Sequence, residues 1–446
     1  MMTARKIVYD LLIKIDEDKA YSNIILDNAF EKAKLSQRDK AFASALFYGV
    51  LERRMTLDYL IRFLSETEFN KLSINAITLL RMGLYQILYM DSVPDSASVN
   101  ETVKLAVADK QFKIKGFINA ILRTFIRSGK EINLDGLDDI GRLSIKYSCP
   151  KWLVKKWINE YGLENAILIL KSSLGRPPIY IKINTLKYSV EEVFDALKKE
   201  KFSPEAACLY KDCLKLNKGN SIEGSNAYRK GMFHVQDISS QICCHAVNPI
   251  LNETVLDMCA APGGKSFTMA QLMQGRGRVL SFDLYEGRVW LLENGAKHLG
   301  INIIEARTGD SSVYNKDIPL ADRVLCDVPC SGLGVIRRKP EIKYKPHTFI
   351  NEFPEIQLKI LNNSAKYVKA GGTLVYSTCT LNKTENDDVV NQFLSENRDF
   401  SPCVVPLNIP DLKDEYKHTF FPSNSGGDGF FIATFKKDAQ KKERII

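Results

Sequence analysis

No uninterrupted apolar run in this chain approaches the ~18 residues that a membrane-spanning helix requires. A transmembrane segment and a membrane partner are therefore not expected. Histidine is scarce, five in 446 residues, and no C-x-x-C pair occurs among the ten cysteines. The spacing of a structural zinc site is missing, and no metal is expected. The stretch GKS at 264–266 ends like a P-loop, but Cys259 stands where that loop needs glycine. The G-x-G-x-x-G dinucleotide fingerprint is also absent, which disfavours a NAD-dependent enzyme. The opening MMTARKIVYDLLIKIDED turns acidic at once, unlike a signal peptide. Without a secretory signal a disulfide framework is not expected, and the expected compartment is a reducing cytoplasm.

What is present is ordinary globular material. Hydrophobic residues make up 45% and charged residues 26%, enough for roughly two to four domains. The net charge of +9 points to an anionic partner without identifying one. It is unevenly spread: residues 1–140 carry +1, residues 141–235 carry +8, and residues 236–446 are neutral.

Three segments are distinguished by pattern. Residues 1–140 place apolar residues at helical spacing in ARKIVYDLLIKI, DKAFASALFYGVLERRMTLDYLIRFL and INAITLLRMGLYQILYM, with a break at Pro94. This predicts an all-α bundle. The polar, acidic stretch 131–142 reads as a linker. Residues 141–235 combine a helix opening at Pro150, the alternating strand IYIKINT and the helix VEEVFDALKKE, a small α+β module. From 236 the strands TVLDMC, RVLSFD, INIIEAR, DRVLCD, GTLVYST and FFIATF alternate with helices. Such alternation predicts a doubly wound, mostly parallel sheet, with ligands bound beyond the carboxyl ends of its strands. A short basic tail (KKDAQKKER) follows.

The chemistry concentrates at those strand ends. TVLDMC runs into AAPGGK and a helix. Gly263 and Gly264 allow a tight turn and a close backbone approach, although a turn that merely needs glycine is also compatible. Asp283 ends the next strand, 26 residues after Asp257, where a carboxylate accepts hydrogen bonds from a ribose. A nucleoside without a phosphate cradle fits S-adenosylmethionine better than ATP or NAD. DVPCSGLG (327–334) and STCT (377–380) each follow a strand. Two cysteines on one ligand edge suggest methylation of cytosine at carbon 5. A thiolate adding at carbon 6 makes carbon 5 an enamine nucleophile, and a second cysteine assists release. Asp327, as a protonated carboxyl, is a candidate acid at N3.

At these residues a family resemblance is close. DMCAAPGGK (257–265), DVPCSGLGVIRRKPEIKY (327–344) and YSTCTLNKTEN (376–386) resemble the signature motifs of RNA cytosine-C5 methyltransferases. SNIILDNAF, RDKAFASALFYGVLERR and FINAILRTFIR resemble a NusB-like RNA-binding domain. KYSCPKWLVKKWINEYG and RPPIYIKINTLK resemble the ferredoxin-like module that precedes the catalytic domain. The order across the chain is similar to the RsmB (Sun/Fmu) family. The fold implied is a NusB-like all-α bundle (1–140), a ferredoxin-like α+β module (141–235) and a Rossmann-like class I methyltransferase domain (236–446).

The resemblance also implies roles. Cys379 matches the nucleophile and Cys330 the cysteine that promotes release. Cys259, Ala260, Ala261, Pro262, Gly263, Gly264 and Lys265 match the stretch that wraps the methionine part of the cofactor. Asp283 matches the ribose acid, Asp310 an acid near the adenine, and Asp327 a residue beside both cofactor and cytosine. Lys265 also matches an active-site lysine. The implied substrate is a cytosine of 16S ribosomal RNA, free or within a small-subunit assembly intermediate, and a monomer is expected. The chain departs from the family at Ile238, where an acid is usual, and in END (385–387), where ENE is common.

The target base must be unstacked before a thiolate reaches it. The run IRRKPEIKYK (336–345) is expected to grip phosphates near Cys330, with a solvated basic loop as the alternative. The other class of function is a non-catalytic NusB-like RNA-binding or antitermination-type factor.

Overall fold

The computed structural model describes residues 3–18, 22–33, 35–109, 111–207, 209–217, 221–405, 407, 409, 412–413 and 415–439. Cys208 and the basic tail from 440 onward lie outside these. The chain divides into two compact units: Met1–Arg176 with Ile336–His347, and Pro177–Val335 with Thr348–Ile446. Among the described residues no helix is long and apolar enough to cross a membrane.

The first unit is helical, as its apolar spacing predicts. It contains α1 (Ala4–Asp18), α2 (Ser22–Lys32), α3 (Gln37–Glu52), α4 (Arg54–Leu64), α5 (Ile74–Tyr89), α6 (Asp95–Ala108), α7 (Lys115–Arg127), α8 (Asp139–Lys146) and α9 (Lys151–Ser172). Val8, Phe47, Leu57, Leu79 and Phe125 lie in its shared core. Ser36 and Ser73 cap α3 and α5 by accepting the N–H groups of Asp39 and Ala76. The stretch expected as a linker ends in a helix, because Asp138 accepts the Gly141 N–H at 2.8 Å and starts α8. Deep in the bundle, Arg81 donates to both oxygens of Asp58 (2.6 and 2.9 Å) and to Asp16 (2.8 Å). Those two carboxylates compensate a charge that burial would otherwise disfavour.

The basic run 336–345 is built into this unit rather than left as a free loop. Pro340–Tyr344 forms a short 3₁₀ helix. The buried Lys343 donates its ammonium to the carbonyl of Glu52 at 2.7 Å, and the Tyr344 hydroxyl donates to the same oxygen at 3.2 Å. Burial pushes the Lys343 ammonium down to about 8. A lysine so enclosed cannot meet a phosphate, so the expected grip loses one of its five cations.

The second unit carries two sheets. The smaller has antiparallel order β2-β3-β1-β4, from β1 (Ile179–Ile183), β2 (Pro204–Ala206), β3 (Cys213–Leu216) and β4 (Phe233–Val235). It packs with α10 (Val190–Lys199), opened by a Ser189–Glu192 capping box, and α11 (Asn226–Arg229). Next come α12 (Ile238–Val247), β5 (Thr254–Asp257), α13 (Gly264–Leu272), β6 (Arg278–Asp283), α14 (Glu286–Leu299), β7 (Ile304–Thr308) and β8 (Ala321–Asp327). The chain closes with α15 (Pro354–Ala365), β9 (Val368–Thr378), α16 (Asp387–Glu396), β10 (Phe400–Pro402), β11 (Lys417–Phe420), α17 (Pro422–Ser425) and β12 (Phe430–Lys437).

The larger sheet has order β10-β12-β9-β8-β5-β6-β7, with β11 also on β12. Strands β5 to β9 pair in parallel, and β12 runs antiparallel to β9. Covered faces explain the continuous apolar runs of the central strands. The register sets Asp257 opposite both Ser281 and Leu325, and Asp327 opposite Ser377. The carboxyl ends of β5, β8 and β9 therefore share one edge, and the site is built there.

Candidate active site

The loop after β5 is folded back along the sheet edge. Met258 donates its N–H to Leu325 O at 2.9 Å, and Ala260 donates to Phe282 O at 2.7 Å. The Ala261–Pro262 peptide is cis, and Gly263 has φ 109°. A Cβ at Gly263 would lie 2.4 Å from the Phe267 ring, so glycine is required there on both counts. Helix α13 then begins at Gly264 and presents its first N–H groups toward this edge.

Asp283 sits at the end of β6 and is only 3% exposed. One of its oxygens lies 3.4 Å from an Arg288 guanidinium nitrogen. Arg288 also donates to Ala261 O at 2.7 Å, tying the glycine loop to the acid. Its position in the first turn of α14, five residues after Asp283, was the only signal for it in the sequence. Asp310 lies on the same edge: Gly309 donates its N–H to Asp283 O at 2.9 Å. The Asp310 carboxylate is exposed and accepts both the N–H and the hydroxyl of Ser312, which hold it below the usual carboxylate range.

Lys265 donates to Asp327 at 2.6 Å, and Ser377 donates to the other Asp327 oxygen at 2.8 Å. Burial works against the Lys265 ammonium, but the Asp327 carboxylate outweighs it and holds the lysine above its ordinary value. An Asp327 with donors on both oxygens is an acceptor. The pairing of Lys265 with Asp327 was not visible in the sequence, which named the two residues separately.

The Cys330 and Cys379 sulfurs lie 3.3 Å apart, both half-buried. The Cys330 thiol is pushed well above its ordinary value, first by its hydrogen bond to the Cys379 sulfur and then by burial. A thiol so raised keeps its proton near neutral pH, and either sulfur can donate in the contact between them. Behind them the backbones interlock. Gly334 donates its N–H to Cys379 O at 3.0 Å, and Gly429 donates to Gly334 O at 2.9 Å. A Cβ at Gly334 would fall 2.0 Å from Gly429 O, so no side chain fits. Other thiols have inert surroundings: burial pushes Cys326 up to about 12 and Cys259 well above its usual value. Cys259 thus contributes its backbone to the loop rather than a reactive sulfur.

The edge as a whole brings together Lys265 at the start of α13, Asp327 and Ser377 on the neighbouring strands β8 and β9, and the two cysteines just beyond those strands, with the Asp283 region on the far side of β5. It can hold a nucleoside-bearing ligand and present a thiol pair to a second substrate.

Three family models match the chain. Residues 244–436 match the family described as 16S rRNA methyltransferase RsmB/F. Residues 2–127 match the NusB family, and residues 149–223 match the ferredoxin-like domain of RsmF/B-like methyltransferases. The probable ribosomal RNA small subunit methyltransferase B of Bacillus subtilis is 38% identical, over 98% of this chain and 99% of its own. The ribosomal RNA small subunit methyltransferase B of Proteus mirabilis is 30% identical, over 95% of this chain and 96% of its own. The solved structure of PH0851 is 26% identical with a TM-score of 0.81, covering 97% of this chain and 98% of that one.

Proposed function

The chain belongs to the RsmB family of ribosomal RNA small subunit methyltransferases, and from that premise we propose that it methylates carbon 5 of a cytosine in 16S rRNA through a bond between Cys379 and carbon 6. The family's methyl donor is S-adenosylmethionine, and the residues present fit it. Asp283 would accept from its ribose, Asp310 would lie by the adenine, and the backbone from Cys259 to Lys265 would wrap its methionine part. The bare Cα of Gly263 and the first N–H groups of α13 suit a close, carboxylate-bearing ligand. When bound, this donor supplies an electrophilic methyl group.

The chain's own residues do the rest. Cys379 adds its thiolate to carbon 6, which turns the ring into an enamine nucleophilic at carbon 5. Asp327 orients the base by accepting from its exocyclic amino group. Lys265, kept cationic by Asp327, offsets negative charge developing on the ring. After transfer Cys330 gives its proton to the departing Cys379 sulfur and, as the thiolate so formed, takes the carbon-5 proton, which releases the methylated base and leaves both cysteines as thiols. The observation that carries this reading is the pair of sulfurs at 3.3 Å next to the Lys265–Asp327 pair.

The test is to incubate the protein with labelled S-adenosylmethionine and either bare 16S rRNA or small-subunit particles, then digest to nucleosides. Label is expected in 5-methylcytidine. Label in another nucleoside would overturn the chemistry, and no transfer would restore the non-catalytic RNA-binding reading.

A further inference from the structure

Two consecutive residues beyond Cys379 hold the chain on both sides of both sulfurs. Glu385 is fully buried. One of its carboxylate oxygens accepts the Ser331 N–H at 2.8 Å, and the other accepts the Ser331 hydroxyl. Gln357, on α15, donates to Glu385 at 3.0 Å and with the same nitrogen to Pro329 O at 2.9 Å. Pro329 and Ser331 flank Cys330. Asn386, also fully buried, does the same for the other sulfur. Its side-chain oxygen accepts the Thr378 hydroxyl at 2.6 Å, and its nitrogen donates to Thr380 O at 3.0 Å. Thr378 and Thr380 flank Cys379. The two clamps are joined at Ser331 and Thr380, whose hydroxyls are 2.7 Å apart.

We propose that Glu385 and Asn386 are positioning residues that together set the distance between the Cys330 and Cys379 sulfurs. A single peptide bond links the two clamps, so neither cysteine loop shifts without moving the other. The carboxylate is needed because Glu385 faces only donors, and a buried carboxylate is the side chain that can accept from all of them. The consequence for turnover rests on the two-cysteine reading above. The sulfur geometry does not.

The test separates the two. Full-length protein is equilibrated in glutathione buffers, with glutathione disulfide as oxidant, and the Cys330–Cys379 disulfide is quantified by peptide mass spectrometry. This gives the effective concentration of one thiol at the other. In Glu385→Gln the new amide nitrogen faces a donor. In Asn386→Asp the donor to Thr380 O is lost. Each orphaned group is expected to lower the effective concentration about tenfold or more. It should also lower kcat for methyl transfer, with KM for S-adenosylmethionine unchanged. If Glu385→Gln does not yield folded protein, Thr378→Val removes the hydroxyl that Asn386 holds and should lower the effective concentration in the same direction. An effective concentration that is unchanged or raised overturns the proposal, even if wild-type protein makes 5-methylcytidine. A lowered one supports it, even if the methylated atom proves to be another.

Discussion

The sulfurs of Cys330 and Cys379 stand 3.3 Å apart although 49 residues separate them in the chain. The contact between them and burial raise the Cys330 thiol. The proposed mechanism gives each sulfur different work. Cys379→Ala is expected to abolish methyl transfer. Cys330→Ala is expected to leave the base attached, giving a protein–RNA adduct that survives denaturing gel electrophoresis. An adduct in the Cys379 variant with none in the Cys330 variant would reverse the roles.

Asp283 is expected to carry much of the cofactor's affinity, through charge-assisted hydrogen bonds to two hydroxyls. Asp283→Ala should weaken S-adenosylmethionine binding by roughly ten- to a hundredfold, measured by titration calorimetry. It also frees Arg288 from its carboxylate, so Asp283→Asn serves as the milder companion. An affinity equal to wild type in both would remove Asp283 from the cofactor site.

Asp257 gives the fold a pH dependence. Burial pushes its carboxyl up to about 7, against the opposing hydrogen bond from Ser266. Between the ordinary value of about 3.9 and about 7 the folded chain keeps a proton that the unfolded chain has released. This group's stabilising contribution is therefore full below about 3.9 and is lost as pH rises through about 7. Asp257→Asn should flatten that slope in urea denaturation at about pH 5 and about pH 8. Equal slopes in the two proteins would count against it.

The buried Arg81 offers a test confined to the helical unit. Arg81→Met leaves Asp58 without its cation and Asp16 with Arg54 alone, and should destabilise this unit by roughly 3–5 kcal/mol. Removing the arginine and both acids together should recover much of the loss. A single variant as stable as wild type would mean the network is replaceable by water.

Long elements with clear periodicity were legible before any coordinates. RVLSFD coincides with β6 residue for residue, and VEEVFDALKKE overlaps α10 to within one residue. Their apolar residues are numerous enough for period alone to decide. The short edge strand β10 was not legible, because Phe400–Pro402 offers three residues, one of them proline. Of the site, the strand-end acids and cysteines were legible, since chemistry at a strand terminus is visible in one line of sequence. The partnerships were not. Arg288 joins Ala261 to Asp283, and Glu385 joins Ser331 to Gln357, across separations that no local pattern encodes. Lys343 failed in the opposite direction. It belongs to a run with four other cations, but its environment is Glu52 O and burial.

The contact of Gly429 with Gly334, and of Gly334 with Cys379, bears on how the protein is made. Gly429 leaves the ribosome fifty residues after the sulfur whose backbone it secures through Gly334. A growing chain therefore displays both cysteine motifs, the glycine loop and Asp283 before Gly429 has been synthesised. A chain interrupted before Gly429 carries every signature motif and still lacks the backbone contact that holds Gly334 against Cys379.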